Sequence, residues 1–147
     1  MNRKQKQHRA RRGAAMVEMA LIMPLFFMVV LGIMEFGRAM MVSNLVTNAA
    51  REGARMAVID GSSNSDVTNS INTFLNQSTG VSASDVTTTI TVAAAAGNPN
   101  PGNEVGNARM RDLITVKVQV PFNSVMLIPG KYLAGKQLVG RSAMRHE

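Results

Sequence analysis

The chain has two histidines, His8 and His146, one near each end, and no cysteine. Thiol nucleophiles, cysteine-ligated zinc and disulfide frameworks are therefore excluded, and the histidines belong to no shared cluster. No glycine-rich phosphate loop follows a strand, and no paired carboxylates occur at helical spacing in the C-terminal part. These residues predict a non-enzyme with no cofactor, no metal and no small-molecule substrate. The residue that stands out is Glu18, the one charge in the apolar run from Ala14 to Met34. A carboxylate at mid-membrane costs about 2.5–3.5 kcal/mol on insertion scales and marks a functional position. The plainer alternative is that Glu18 lies a turn from the cytoplasmic face and reaches the headgroups.

Further along, Glu35 and Arg38 stand one helical turn apart where the apolar run ends. They read as an i,i+3 ion pair at the interface, worth a few tenths of a kcal/mol, or as a contact to a partner. Arg51, Glu52 and Arg55 suit a solvated outer face. On the other side, Ala50, Gly53, Ala54 and Ala57 form a stripe of small residues at helical spacing. Such a stripe lets another backbone approach closely, whether this protein's own sheet or a helix of another subunit. Eight of the twelve methionines fall between Met16 and Met56, soft side chains suited to packing in lipid and against helices.

These residues need a scaffold, and the charge distribution outlines it. Six of the sixteen basic residues (Arg3, Lys4, Lys6, Arg9, Arg11, Arg12) lie ahead of the apolar run, with no acid among them. The ten that remain face nine acids, so the net charge of +7 belongs to a leader and not to a domain surface. That weighs against nucleic acid as a partner, although Arg109, Arg111, Lys117, Lys131, Lys136 and Arg141 could form a local patch. The run from Ala14 to Met34 spans about 30 Å as a helix, the thickness of a bilayer core. The basic leader keeps the N-terminus cytoplasmic by the positive-inside bias. A cleaved secretory signal has the same outline, but here the apolar run is too long and no small-x-small site follows before Glu35. Arg11-Arg12 is too slight a motif to indicate twin-arginine export.

Helix-compatible spacing continues past the apolar run, predicting one helix from about Ala14 to Val58, kinked at Pro24. Asp60-Gly61-Ser62-Ser63-Asn64 is a turn, and Asp66 to Gln77 an amphipathic helix capped by Ser65 or Asp66. Beyond Gly80 the period becomes two. Val86, Thr88, Ile90 and Val92 line one strand face, and Ile114, Val116, Val118 and Val120 another. Gly97 to Asn103 reads as a loop, Phe122 to Pro129 as irregular or one helical turn, and Lys136 to Arg145 as a third strand. The fold class is α+β: a long N-terminal transmembrane helix continuing into a small domain with one short helix and a three-stranded antiparallel sheet. The expected segments are a leader over 1–13, the helix over 14–58 and an extracytoplasmic domain over 59–147.

A glycine after a basic leader, a glutamate five residues on and an apolar helix following (Arg12-Gly13-Ala14-Ala15-Met16-Val17-Glu18) resemble the processing site of type IV prepilins. Together with Pro24, the GIMEFGR of Gly32 to Arg38 and the AAREGAR of Ala49 to Arg55, the segment resembles the TadE-like family, pseudopilins of the tight-adherence (Tad, or Flp) pilus system. Met19 departs from the aromatic often found after the glutamate in that family. The resemblance implies a pilin-like domain, cleavage between Gly13 and Ala14 by a prepilin peptidase, and a filament-register role for Glu18. It implies as partners the peptidase, other pilins and pseudopilins, and the pilus assembly platform. It places the chain in the bacterial inner membrane, single-pass, with the C-terminal domain outside or in the pilus. The rivals are a membrane-anchored envelope protein that keeps its leader and a nucleic-acid-binding pseudopilin of an uptake system.

Overall fold

The computed structural model describes the main chain of residues 3–127 and 133–147 and the side chains from Gly13 onward within those ranges. The side chains of the basic leader, Pro129 and Lys131 lie outside the described residues. Helix α1 covers Arg3–Ala57. It begins earlier than expected, because Lys, Arg, Gln and Ala are good helix formers and one glycine costs only about 1 kcal/mol. The helical assignment passes through Pro24, whose missing N–H leaves the Ala20 carbonyl without its usual donor. Gly61 closes the following turn at φ 83°.

The chain divides into two compact units, Met1–Phe36 and Gly37–Glu147. The division falls inside α1. Packing explains this for the second unit: Val42, Val46, Ala49, Ala50, Ala54 and Ala57 are all buried there. The first unit is a helix with one face after another uncovered, including Met16, Leu21, Leu25 and Phe27.

In the second unit, helix α2 covers Asn64–Thr79. Its N-cap is Ser63, earlier than expected, because Ser63 and Asp66 form a reciprocal capping box. Ser63 Oγ accepts from the Asp66 N–H at 3.3 Å, and Asp66 Oδ2 accepts from the Ser63 N–H at 3.0 Å. Gly80 ends the helix in the left-handed region, its N–H donating to the Asn76 carbonyl. Val67, Ile71 and Leu75 form the buried stripe.

The strands are β1, Thr87–Ala93; β2, Leu113–Pro121; and β3, Gln137–Arg145. They form an antiparallel meander in the order β1-β2-β3. The alternation in β2 is complete. Ile114, Val116, Val118 and Val120 are fully buried, each stabilising by about 1.5–3 kcal/mol relative to exposure. A short 3-10 turn at Phe122–Ser124 follows β2 and buries Phe122.

Candidate functional site

Two regions hold the residues singled out from the sequence. The first is the exposed N-terminal half of α1. Gly13, Ala14 and Glu18 are all exposed, and a Cβ at Gly13 would meet nothing within 4 Å. The main chain at Gly13 and Ala14 is helical. Around Glu18 the exposed neighbours are apolar: Met16, Val17, Met19, Leu21 and Ile22. Soluble surfaces do not carry contiguous apolar area of this kind, which marks lipid or partner contact. The helix from Gly13 is long and apolar enough to cross a membrane, with mean hydropathy 2.4 and none of that window buried.

Glu35 is buried and its Oε2 has no hydrogen-bond partner among the described residues. Arg38 turns elsewhere, its Nε donating to the main-chain carbonyl of Val125. No salt bridge between Glu35 and Arg38 occurs among the described residues; the one ion-pair approach there is His146 Nε2 to Asp60 Oδ1 at 3.5 Å. A guanidinium bonded to a carbonyl 87 residues away closes a long-range contact that helical spacing does not report.

The second region is the seat of the small-residue stripe. A Cβ at Gly53 would lie 2.5 Å from Ile71 Cδ1 and 3.4 Å from Val116 Cγ1, so α1, α2 and β2 meet there. Ala50, Ala54 and Ala57 are fully buried beside it. Near the previous turns, β3 comes against the helix backbone itself: a Cβ at Gly140 would lie 2.6 Å from the Val46 carbonyl carbon and 2.7 Å from the Thr47 nitrogen. The stripe thus packs against this chain's own helix and sheet. Arg51, Glu52 and Arg55 face solvent as expected.

Sequence reasoning missed a polar anchor in the long connection between β1 and β2. The buried Asp112 carboxylate accepts from the Ala95 N–H at 2.8 Å, the Asn98 side chain at 2.6 Å and the Arg109 N–H at 2.8 Å. The Asn98 bond first, then the two backbone donors, hold its pKa below the usual carboxylate range. Its carbonyl also accepts from the His146 N–H, tying down the C-terminus. Asn64 and Asn103 complete the anchor, Asn64 Oδ1 accepting from the Val105 N–H and Asn103 Oδ1 from the Val92 N–H. The asparagines in that stretch were legible as loop residues; their targets were not.

The basic residues considered for nucleic acid are not gathered into one patch. Lys117 and Arg141 are direct cross-strand partners at mid-sheet. Arg109 and Arg111 precede β2 at one end of the sheet, and Lys136 precedes β3 at the other.

The model of the TadE-like protein family matches residues 13–55, the segment that carries Gly13, Glu18 and the Ala50, Gly53 and Ala54 part of the small-residue stripe. Over this segment the chain is similar to that family. No curated protein and no solved structure matches the chain.

Proposed function

We propose that this membrane-anchored TadE-like protein is a minor pilin or pseudopilin of the Tad (Flp) pilus, matured by a prepilin peptidase between Gly13 and Ala14. The observation that carries the reading is Glu18, an exposed carboxylate four residues beyond Ala14 on an otherwise apolar and uncovered helix. Cleavage leaves a charged amine on Ala14. When helices stack, the carboxylate of one subunit pairs with the Ala14 amine of its neighbour. At 4 Å and an effective dielectric near 20 such a pair contributes about 4 kcal/mol. That offsets the roughly 2.5–3.5 kcal/mol that burial of the carboxylate costs. A subunit out of register leaves both charges unpaired, so the pair selects axial position. Before cleavage the helical turn at Gly13 must open, and glycine lowers that cost by about 1 kcal/mol relative to alanine.

In this reading the second unit lies outside the cytoplasmic membrane and the chain is not an enzyme. Its partners are the peptidase, the assembly platform and other pilins. The test is Glu18→Ala in the producing cell, with the N-terminus of the mature chain read by mass spectrometry. Membrane insertion is expected to be normal and incorporation into assembled pili to fall at least tenfold. Wild-type piliation in that variant overturns the register role, and a chain still carrying Arg11-Arg12 in peptidase-positive cells overturns maturation. The helical main chain through Gly13 and Ala14 favours one second reading, a membrane-anchored envelope protein that keeps its leader.

A further inference from the structure

The outer face of the sheet has an unusual charge arrangement. Lys117 in β2 and Arg141 in β3 are directly opposite, on the face away from the buried valines. Like charges at this position, with Cβ atoms about 5 Å apart, destabilise a sheet. No strand contains an aspartate or glutamate, so nothing on the sheet compensates them. Neither residue takes part in a salt bridge among the described residues. Arg145, four residues along β3 and about 13 Å away by strand rise, extends the cationic line.

The cations are bordered by hydroxyls. In register, Thr89 lies beside Lys117, and Thr91 beside Thr115. Thr87, Thr89 and Thr91 are exposed, as are Arg141 and Arg145. No aromatic residue lies in any of the three strands. We propose that this sheet face binds an acidic polysaccharide, its carboxylates pairing with Lys117, Arg141 and Arg145 and its hydroxyls with the threonines. Hydroxyl groups outnumber cations on the face, which matches a polyuronate, whose sugars carry more free hydroxyls than carboxylates. Nucleic acid fits less well: its interfaces are much more strongly basic, and single strands need aromatic platforms that the face lacks. An anion bridging Lys117 and Arg141 removes the repulsion that the free sheet carries. The inference goes beyond the role in pilus assembly and does not depend on it.

The test uses the full chain in neutral detergent, with polygalacturonate as the probe, dextran as its uncharged counterpart and duplex DNA as the rival. Polygalacturonate is expected to bind, with affinity falling as salt rises, while dextran does not. Lys117→Glu places a carboxylate opposite Arg141, so the sheet gains an ion pair while the face loses two units of positive charge. Its affinity for polygalacturonate is expected to fall at least tenfold while its melting temperature holds or rises. Lys117→Thr is the second variant, with a smaller loss of binding and no loss of melting temperature. Absence of polygalacturonate binding, tighter binding of DNA, or binding unchanged in both variants (the mark of attachment through the basic leader) overturns the proposal.

Discussion

Gly140→Ala tests the seat of α1 on the sheet. The added methyl would stand 2.6 Å from the Val46 carbonyl carbon and 2.7 Å from the Thr47 nitrogen. The Val46 carbonyl oxygen is nearer still, and ordinary contacts begin near 3.4 Å, so a gap of roughly 0.8 Å or more must open between helix and strand. The obstacle is backbone and cannot rotate away. Overpacking of this kind costs about 1–3 kcal/mol when side chains can yield, and more when main chain must move. Alanine returns about 0.5–1 kcal/mol through its lower freedom in the unfolded chain. The net expectation is a loss of about 2–4 kcal/mol, or roughly 10–20 °C in Tm for a unit of this size. Thermal unfolding of the full chain in detergent, followed by circular dichroism, reads it. Gly53→Ala is the internal comparison: its methyl meets the movable end of Ile71 at 2.5 Å, and helix propensity gains about 1 kcal/mol. Its expected loss is about 0–2 kcal/mol. A Gly140→Ala melting temperature within about 2 °C of wild type, or a larger loss for Gly53→Ala, would refute the close seating of helix on strand.

Ser63→Ala removes the α2 capping box and is expected to cost about 1 kcal/mol in denaturant unfolding. Asp112→Asn replaces an acceptor with a donor against the N–H groups of Ala95, Asn98 or Arg109, and the melting temperature is expected to drop. The pH dependence follows from the lowered pKa of Asp112. A carboxylate depressed in the folded state contributes stability that is full above its unfolded pKa near 4 and is lost as pH falls through the folded value. Asp66, lowered by its bonds to Ser63, acts in the same direction. The wild-type stability should therefore decline below about pH 4, and in Asp112→Asn that decline should be shallower; equal acid limbs would contradict the assignment. Glu18→Ala, as set out above, should spare insertion and abolish most incorporation, read by immunoblot of sheared pili.

Much of the fold is legible in the residue order because periodicity is local. The period-two run from Ile114 to Val120 can only be a strand with one buried face, and all four apolar residues are buried. The apolar run with its lone Glu18, the RGAAMVE start and the Ala50-Gly53-Ala54-Ala57 stripe are likewise properties of neighbouring residues, and the family match over residues 13–55 spans most of them. A stripe states which face is to be covered and how closely. What covers it lies far away in the chain, and only the tertiary structure decides that Ile71 and Val116 meet Gly53 and that β3 comes against Val46 at Gly140. Arg38 illustrates the same limit. Its spacing from Glu35 suggests a local pair, whereas the guanidinium bonds the distant Val125 carbonyl. The Asp112 anchor and the Lys117–Arg141 opposition depend on strand register, which hydrogen bonding between segments sets and no single segment contains.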